Sequence, residues 1–345
     1  MQERKPVLVS LLFIMTLIST SLVCSIYTKN ISYSSNEFRI AKTKYIELDQ
    51  KPVFITNDDL VQYALKKINE DRTKYNLPPV ELSQNKAAQI HAEDLFKTKY
   101  PHPTHWTTDG MKPYMKYSTY NGTGYVEQNV AIRGYDNATI EKCKNDTFSC
   151  DKLDPYTEIN NAEWKMVYND TICCKDSHKN NTLDKYHTHV SLGIVYDDYY
   201  FAFVENFENN YIQFSKPLKQ DDGHIQISGI QLKNNNNNNT LDSIGVYYDE
   251  TPSHMVYEEN KDKSSYERGK FVASVVKPPP FLFHYEQPSN YTLIQADKWS
   301  QKDQLLDVSF DLSSILKKKG VYTIVMYFTD NDKNRFPVTS YSMFF

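Results

Sequence analysis

The chain has 345 residues, of which 40% are hydrophobic and 24% charged, so it can build real cores and wholesale disorder is excluded. Its 39 basic residues nearly balance 43 acidic ones, for a formal charge of -4, which excludes the basic stripe of a protein made to grip nucleic acid. Ten Gly exclude collagen-like architectures, five Cys are too few for a disulfide-stapled miniprotein, and the length suits two domains of about 150 residues.

Arg4 and Lys5 precede an uncharged run over residues 6–28 with an apolar heart over 7–16. A charged start followed by such a run predicts an export segment. Val23-Cys24-Ser25 offers a cleavage site, and the run also approaches the about 20 residues that span a bilayer, which would leave it as an anchor. Residues 1–28 are therefore a signal peptide or a membrane anchor. With the two cations cytoplasmic, everything from Lys29 onward is expected outside, either tethered to the membrane or secreted.

Sequons at Asn30, Asn121, Asn137, Asn145, Asn169, Asn180, Asn238 and Asn290 agree with export through their density, since each alone arises by chance in an Asn-rich chain. Beyond Cys24 the cysteines are Cys143, Cys150, Cys173 and Cys174, all within one stretch. In an oxidising compartment they predict two bridges. Joining Cys173 to Cys174 directly closes a strained eight-membered ring, so each is expected to pair with Cys143 or Cys150. The rival reading, a zinc site of the four cysteines, lacks paired C-x-x-C knuckles.

Residues 29–54 are polar and without period, and read as a stalk. Helical signals start at Thr56-Asn57-Asp58-Asp59, and Leu60, Tyr63, Ala64 and Ile68 carry a stripe to about Arg72. Pro78-Pro79 breaks the chain, and a second helix runs from Ser83 through Ala87, Ala88, His91 and Leu95. Past Lys99 the chain reads as loop-rich, with a short helical window at 159–168 and strands at 190–196 and 199–206. After Tyr211 the pattern becomes strands without helices, at 225–232, 244–248, 270–276, 308–312 and 321–328, which predicts a β-sandwich (Ig-like) over residues 213–345. The Asn run at 234–239 predicts a surface loop, and Asp330-Asn-Asp332-Lys-Asn334 a polar hairpin turn, because a calcium loop would need a glycine and a distal glutamate.

Several motifs fall in one order. Asn69-Glu-Asp-Arg72 is followed by Leu77-Pro78-Pro79, then Ala88-Gln-Ile-His91-Ala92, His105-Trp106, Gln128-Asn129-Val130-Ala131 and Ser177-His178-Lys-Asn180. Over residues 59–207 this order resembles the CAP superfamily, the SCP domain of cysteine-rich secretory, antigen and pathogenesis-related proteins, in its bacterial and archaeal form. The resemblance implies an α+β fold in which a CAP-type α-β-α sandwich (residues 55–212) precedes the β-sandwich. It also implies a shallow cavity where two histidines and one or two glutamates can hold a divalent metal, here His105 and His178. The first glutamate position falls on Gln128, with Glu127 displaced by one residue and facing the other side of a strand. The second would fall on Val167, with Glu163 nearby but off register. Such a cavity has lost its anionic ligands, so weak, easily stripped Zn2+ is expected at most. His105 and His178 are expected to converge, with Gln128 beside them.

His187-Thr-His189 would put two imidazoles on one strand face and is a separate metal candidate, and His102 is another. No G-x-S-x-G, Walker-type or G-x-G-x-x-G pattern is present. The expected function is a non-catalytic extracellular binding module for an extracellular ligand or protein, with no nucleic acid. The alternatives are a metal-dependent hydrolase of extracellular polymer or peptide, which needs a carboxylate beside the histidines, and a binder of lipid or another apolar ligand.

Overall fold

Two hydrophobic periods organise the chain. The computed structural model describes residues 57–145, 149–215, 219–221, 223–232 and 239–345. The export segment, the stalk and the sequons at Asn30 and Asn238 lie outside the described residues. In the first half, α1 (Asn57–Lys74), β1 (Glu81–Leu82), α2 (Ala87–Thr98), α3 (Pro113–Thr119), β2 (Tyr125–Gly134), α4 (Asn137–Lys144), α5 (Pro155–Tyr168), α6 (Thr171–Cys174), α7 (Ser177–Thr182), β3 (His189–Tyr196) and β4 (Tyr200–Asn209) follow in order. The strands form one sheet in the order β1-β3-β4-β2, antiparallel except for the β1–β3 pair.

Strand alternation sends Phe201, Phe203 and Phe207 of β4 to one face, where they pack with Leu60, Ala64 and Ile68 of α1 and Ile159 of α5. The intervening Tyr200, Ala202 and Val204 meet Ala88, Ala92 and Leu95 of α2 on the other face. Helices thus cover both faces. On the α2 side the approach is close enough that a Cβ on Gly193 would lie 2.1 Å from the Ala88 carbonyl oxygen, so β3 tolerates only glycine there. The segment past Lys99, expected as loop, contains α3 and β2. α3 opens on Pro113 at its first turn, and β2 buries residues on both faces, so it lacks the polar–apolar alternation that marks a strand in sequence.

The second half contains β5 (Ile212–Phe214), β6 (Lys219–Asp221), β7 (His224–Gln231), β8 (Thr240–Asp249), α8 (His254–Asn260), β9 (Lys270–Val276), β10 (Thr292–Gln295), β11 (Lys298–Lys302), β12 (Leu305–Asp311), β13 (Val321–Thr329) and β14 (Arg335–Phe344). They form two five-stranded sheets, β10-β9-β8-β13-β14 and β11-β12-β7-β5, with β6 also on β7. Ile225, Ile227, Val308 and Phe310 of one sheet share a core with Ile244, Val246, Ile324 and Met326 of the other. The expectation of no helix after Tyr211 is corrected by α8, which is capped by Ser253 Oγ accepting the Val256 N–H and buries Tyr257. The Asp330 turn between β13 and β14 is held by Asp330 Oδ1 accepting the Asn334 N–H at 2.8 Å.

The boundary expected near residue 212 falls between β4 and β5, and the described residues form one compact unit. Polar groups bridge the two halves: Lys112 Nζ and Tyr114 Oη each reach Asp249 at 2.7 Å, and the backbone N–H of Ser340 donates to the Gly124 carbonyl at 3.1 Å.

The disulfide expectation is corrected. Cys143 pairs with Cys150, and Cys173 with Cys174. The 14-residue helix α5 stands between the two cysteine loops, and each bridge closes within its own loop. This also removes the four-cysteine zinc alternative. The sequon residues Asn121, Asn137, Asn145, Asn169, Asn180 and Asn290 are all exposed.

Candidate functional site: two polar clusters on opposite faces of one sheet

His105 lies in the connection between α2 and α3, buried on the α2 side of the sheet. Its Nδ1 stands 3.1 Å from Gln128 Oε1, and Gln128 Nε2 donates to Asn206 Oδ1 at 2.9 Å. Ser264, from the second half of the chain, also lies beside the His105 ring. Tyr266 packs edge-on against His105 with ring centroids 4.9 Å apart, and touches Trp106 and Tyr114 as well. The pocket beneath, lined by His91, Met111 and Lys116 besides these polar groups, has no room for a water molecule.

Burial is the main reason that the His105 pKa falls to about 4, with the nearby His178 adding to the drop and the Gln128 bond opposing it. His91, on α2 beside it, falls to about 3 for the same first reason. Both rings are neutral at pH 7. No carboxylate faces them from β2 or β4: Gln128 and Asn206 are directly opposite in the β2–β4 register, and both are amides.

One residue along each strand the face reverses. Asn129 Nδ2 donates to Glu205 Oε2 and to Thr182 Oγ1, both at 3.0 Å. Glu205 and Glu163 of α5 are buried at 0% and 3% exposure, yet both carboxyl oxygens of Glu163 and Glu205 Oε1 lack a hydrogen-bond partner among the described residues. Two buried carboxylates side by side would repel, and a shared proton relieves this: it turns one oxygen into a donor and pairs two of the three. Both groups are accordingly raised above the ordinary range, each first by burial, and Glu163 next by the charge of Glu205.

That proton makes stability pH-dependent. Above about pH 4.5 the unfolded chain has released a proton that the folded pair keeps. The pair's own contribution to folding stability should therefore fall as pH rises from 5 to 8, with a slope of at most about 1.4 kcal/mol per pH unit, opposed below pH 6.5 by the buried histidines. Glu163→Gln should flatten this slope, read from urea midpoints across the pH range. Parallel wild-type and variant curves would show that no proton is shared.

His178 opens α7 and is oriented by Asp170. Its backbone N–H donates to Asp170 Oδ2 at 2.8 Å, and its Nδ1 lies 2.6 Å from Asp170 Oδ1. His187 is buried, stacks on Phe207, and has Nδ1 at 2.7 Å from Asn209 Oδ1 and Nε2 at 3.0 Å from Asn181 Oδ1. Both its nitrogens are engaged, and burial lowers its pKa. His189 contacts Thr188 Oγ1 and, at 3.6 Å, Glu81. Glu127 takes the Tyr125 hydroxyl and belongs to the Asn129 face, and His102 packs against Tyr100.

The residues expected from sequence thus divide. His105 and Gln128 are brought together, whereas Glu163 lies across the sheet with Glu205. Among the described residues, no group of three His, Cys, Asp or Glu side chains close enough to hold an ion includes His105, Glu127, Glu163, His187 or His189. Tyr266, Asn206, Glu205 and Asp170 escaped sequence reasoning. A strand period alone, with Glu205 and Asn206 on alternate faces of β4, was the available signal for two of them.

No protein-family model matches the chain, and no curated protein matches it. Among solved structures the chain is similar to an extracellular protein containing an SCP domain from Bacillus anthracis str. Ames, at 17% identity with a TM-score of 0.30. The likeness covers 46% of this chain and 45% of that one, so the chain spans less than half the length of that structure. Among the described residues no helix is long and apolar enough to cross a membrane.

Proposed function

We propose that the protein is an extracellular, non-catalytic binding module, with a CAP-type domain over residues 55–212 and an Ig-like β-sandwich over 213–345, anchored or released at its N-terminus. The observation that carries this reading is the state of the His105 cavity. Its imidazole is neutral, its β-strand neighbours are amides, and the Ser264–Tyr266 segment of the second half lies on it.

Zn2+ does not suit that setting. Neutral imidazole beside a carboxamide offers no anionic ligand, and no open position remains for a water to be activated. A hydrolase needs that water, or a base within reach of it. The carboxyl pair Glu163–Glu205 faces the other side of the sheet from Gln128 and Asn206, so it supplies neither at His105. A contact surface supports the binding reading instead: Phe281, Leu282 and Phe283, between β9 and β10, are 91%, 82% and 67% exposed in succession, a patch that solubility alone would not maintain.

The test is elemental analysis of the purified full chain together with hydrolysis assays on peptide and polysaccharide substrates. Wild type and His105→Ala should carry the same zinc content and show no difference in turnover. Zinc lost with His105→Ala, or hydrolysis that falls with that substitution, would establish the hydrolase instead.

A further inference from the structure

The turn that presents His178 holds a second set of metal-ligating atoms, distinct from the His105–Gln128 pair. Lys175 and Asp176 both adopt left-handed backbone, at φ 53° and 62°, and this reverses the chain after α6 so that α7 returns over Asp170. Asp170, 2% exposed, is the hub. Its Oδ2 accepts the backbone N–H groups of His178 and Lys179 at 2.8 and 3.2 Å. Its Oδ1 stands 2.6 Å from His178 Nδ1 and 3.6 Å from Cys173 Sγ. One ligand atom from each of Asp170, Cys173, Cys174 and His178 lies within 4.8 Å of all the others.

The Cys173–Cys174 bridge keeps both sulfurs uncharged and poor as ligands. We propose that reduction of this bridge converts the turn into a site for one thiophilic divalent cation of the Zn2+ class, bound by two thiolates, a His178 ring nitrogen and Asp170 Oδ1. The step balances with a dithiol as reductant. Two electrons and two protons pass from the dithiol to the bridge, which opens to two thiols while the dithiol closes to its own disulfide. The cation then displaces the two thiol protons as the metal–sulfur bonds form.

Two thiolates, an imidazole and a carboxylate match the preference of Zn2+ for mixed S, N and O ligands. Bond lengths near 2.0–2.3 Å put neighbouring ligands of a tetrahedral ion about 3.3–3.8 Å apart, so no pair closes by more than about 1.5 Å, while the two sulfurs separate from bonding distance. Freed sulfurs can make that movement, and Asp170 stays anchored through Oδ2. Cys173 is exposed, which gives reductant and cation a path.

The inference does not depend on the function proposed above, because it uses neither His105 nor Gln128. Its test uses the full chain carrying Cys24→Ser, reduced with dithiothreitol, freed of reductant without oxygen, and titrated with Cd2+ while the thiolate-to-cadmium charge-transfer band is followed. One Cd2+ per chain should bind to the reduced protein and none to the oxidised protein. Cys143→Ser/Cys150→Ser should keep the band, whereas Cys173→Ser should lose it. His178→Ala and Asp170→Asn should each weaken binding by about 10-fold or more. No stoichiometric band on reduction, a band that survives loss of Cys173, or affinity indifferent to both His178 and Asp170 overturns the proposal. The oxidised–reduced comparison changes no residue of the turn, so absence of a stoichiometric band on reduction overturns the proposal even where a turn variant fails to fold.

Discussion

Tyr266→Ala should raise the pKa of His105 from about 4 towards its ordinary value of 6.5, a change visible in an NMR titration of the imidazole ring protons. Burial is the largest cause of the depression, and Tyr266 is the ring laid against His105 from the second half of the chain. The same ring also packs against Trp106 and Tyr114. Removing the ring admits water to the imidazole and restores solvation of its charged form. Tyr266→Phe should change the titration far less.

The same burial sets a pH dependence. Between pH 6.5 and about 4 the unfolded chain binds a proton at His105 that the folded protein refuses. The stability contributed by keeping His105 neutral is therefore lost on acidification through that window, about 3 kcal/mol in full. Tyr266→Ala should lose much of this acid sensitivity while being less stable at pH 7. A titration unchanged by Tyr266→Ala would mean that α2 and α3, not the segment from the second half, exclude water from the ring.

Arg72→Ala should cost about 3–5 kcal/mol, the scale of removing one side of a buried charged network, and should be read as a fall in the urea midpoint. Arg72 is 0% exposed. Its guanidinium donates to the carbonyls of Pro78, Thr182 and Asp184 at 3.0, 2.8 and 3.0 Å, and to His187 at 3.4 Å. It thus fastens the end of α7 and the approach to β3 onto α1, and truncation removes the donor from the buried Thr182 and His187 carbonyls. Amide exchange should rise first over residues 182–187. Arg72→Lys should recover less than half of the loss, since an ammonium cannot fan out to four acceptors as a guanidinium does. A loss below about 1 kcal/mol for Arg72→Ala would mean that water replaces the guanidinium at these carbonyls.

Arg72 also shows why one part of the molecule could be read early. In Asn69-Glu-Asp-Arg72, Asn69 clamps the Val80 backbone through both amide atoms, at 2.8 and 3.0 Å, while Arg72 gathers the distant carbonyls. Both duties belong to residues one helical turn apart, so the motif is visible as a spacing. The Glu163–Glu205 pair is not: its members come from α5 and β4, and only the packing of that helix on the sheet joins them.

The sequence by itself determined the helices α1, α2 and α5, the strands β3 and β4, the strand-rich second half and the opposite facing of Glu127 and Gln128. Each of these is written in a local period of 3.6 or 2 residues, or in a cap, and needs no distant partner to be read. Only the tertiary structure decided that amides alone face His105 from the strands, that Tyr266 closes over it from 161 residues away, and that Cys173 pairs with its own neighbour. These depend on which faces of remote segments pack together, and that choice is made by the burial of whole helices and sheets, for which no short stretch of chain carries the signal.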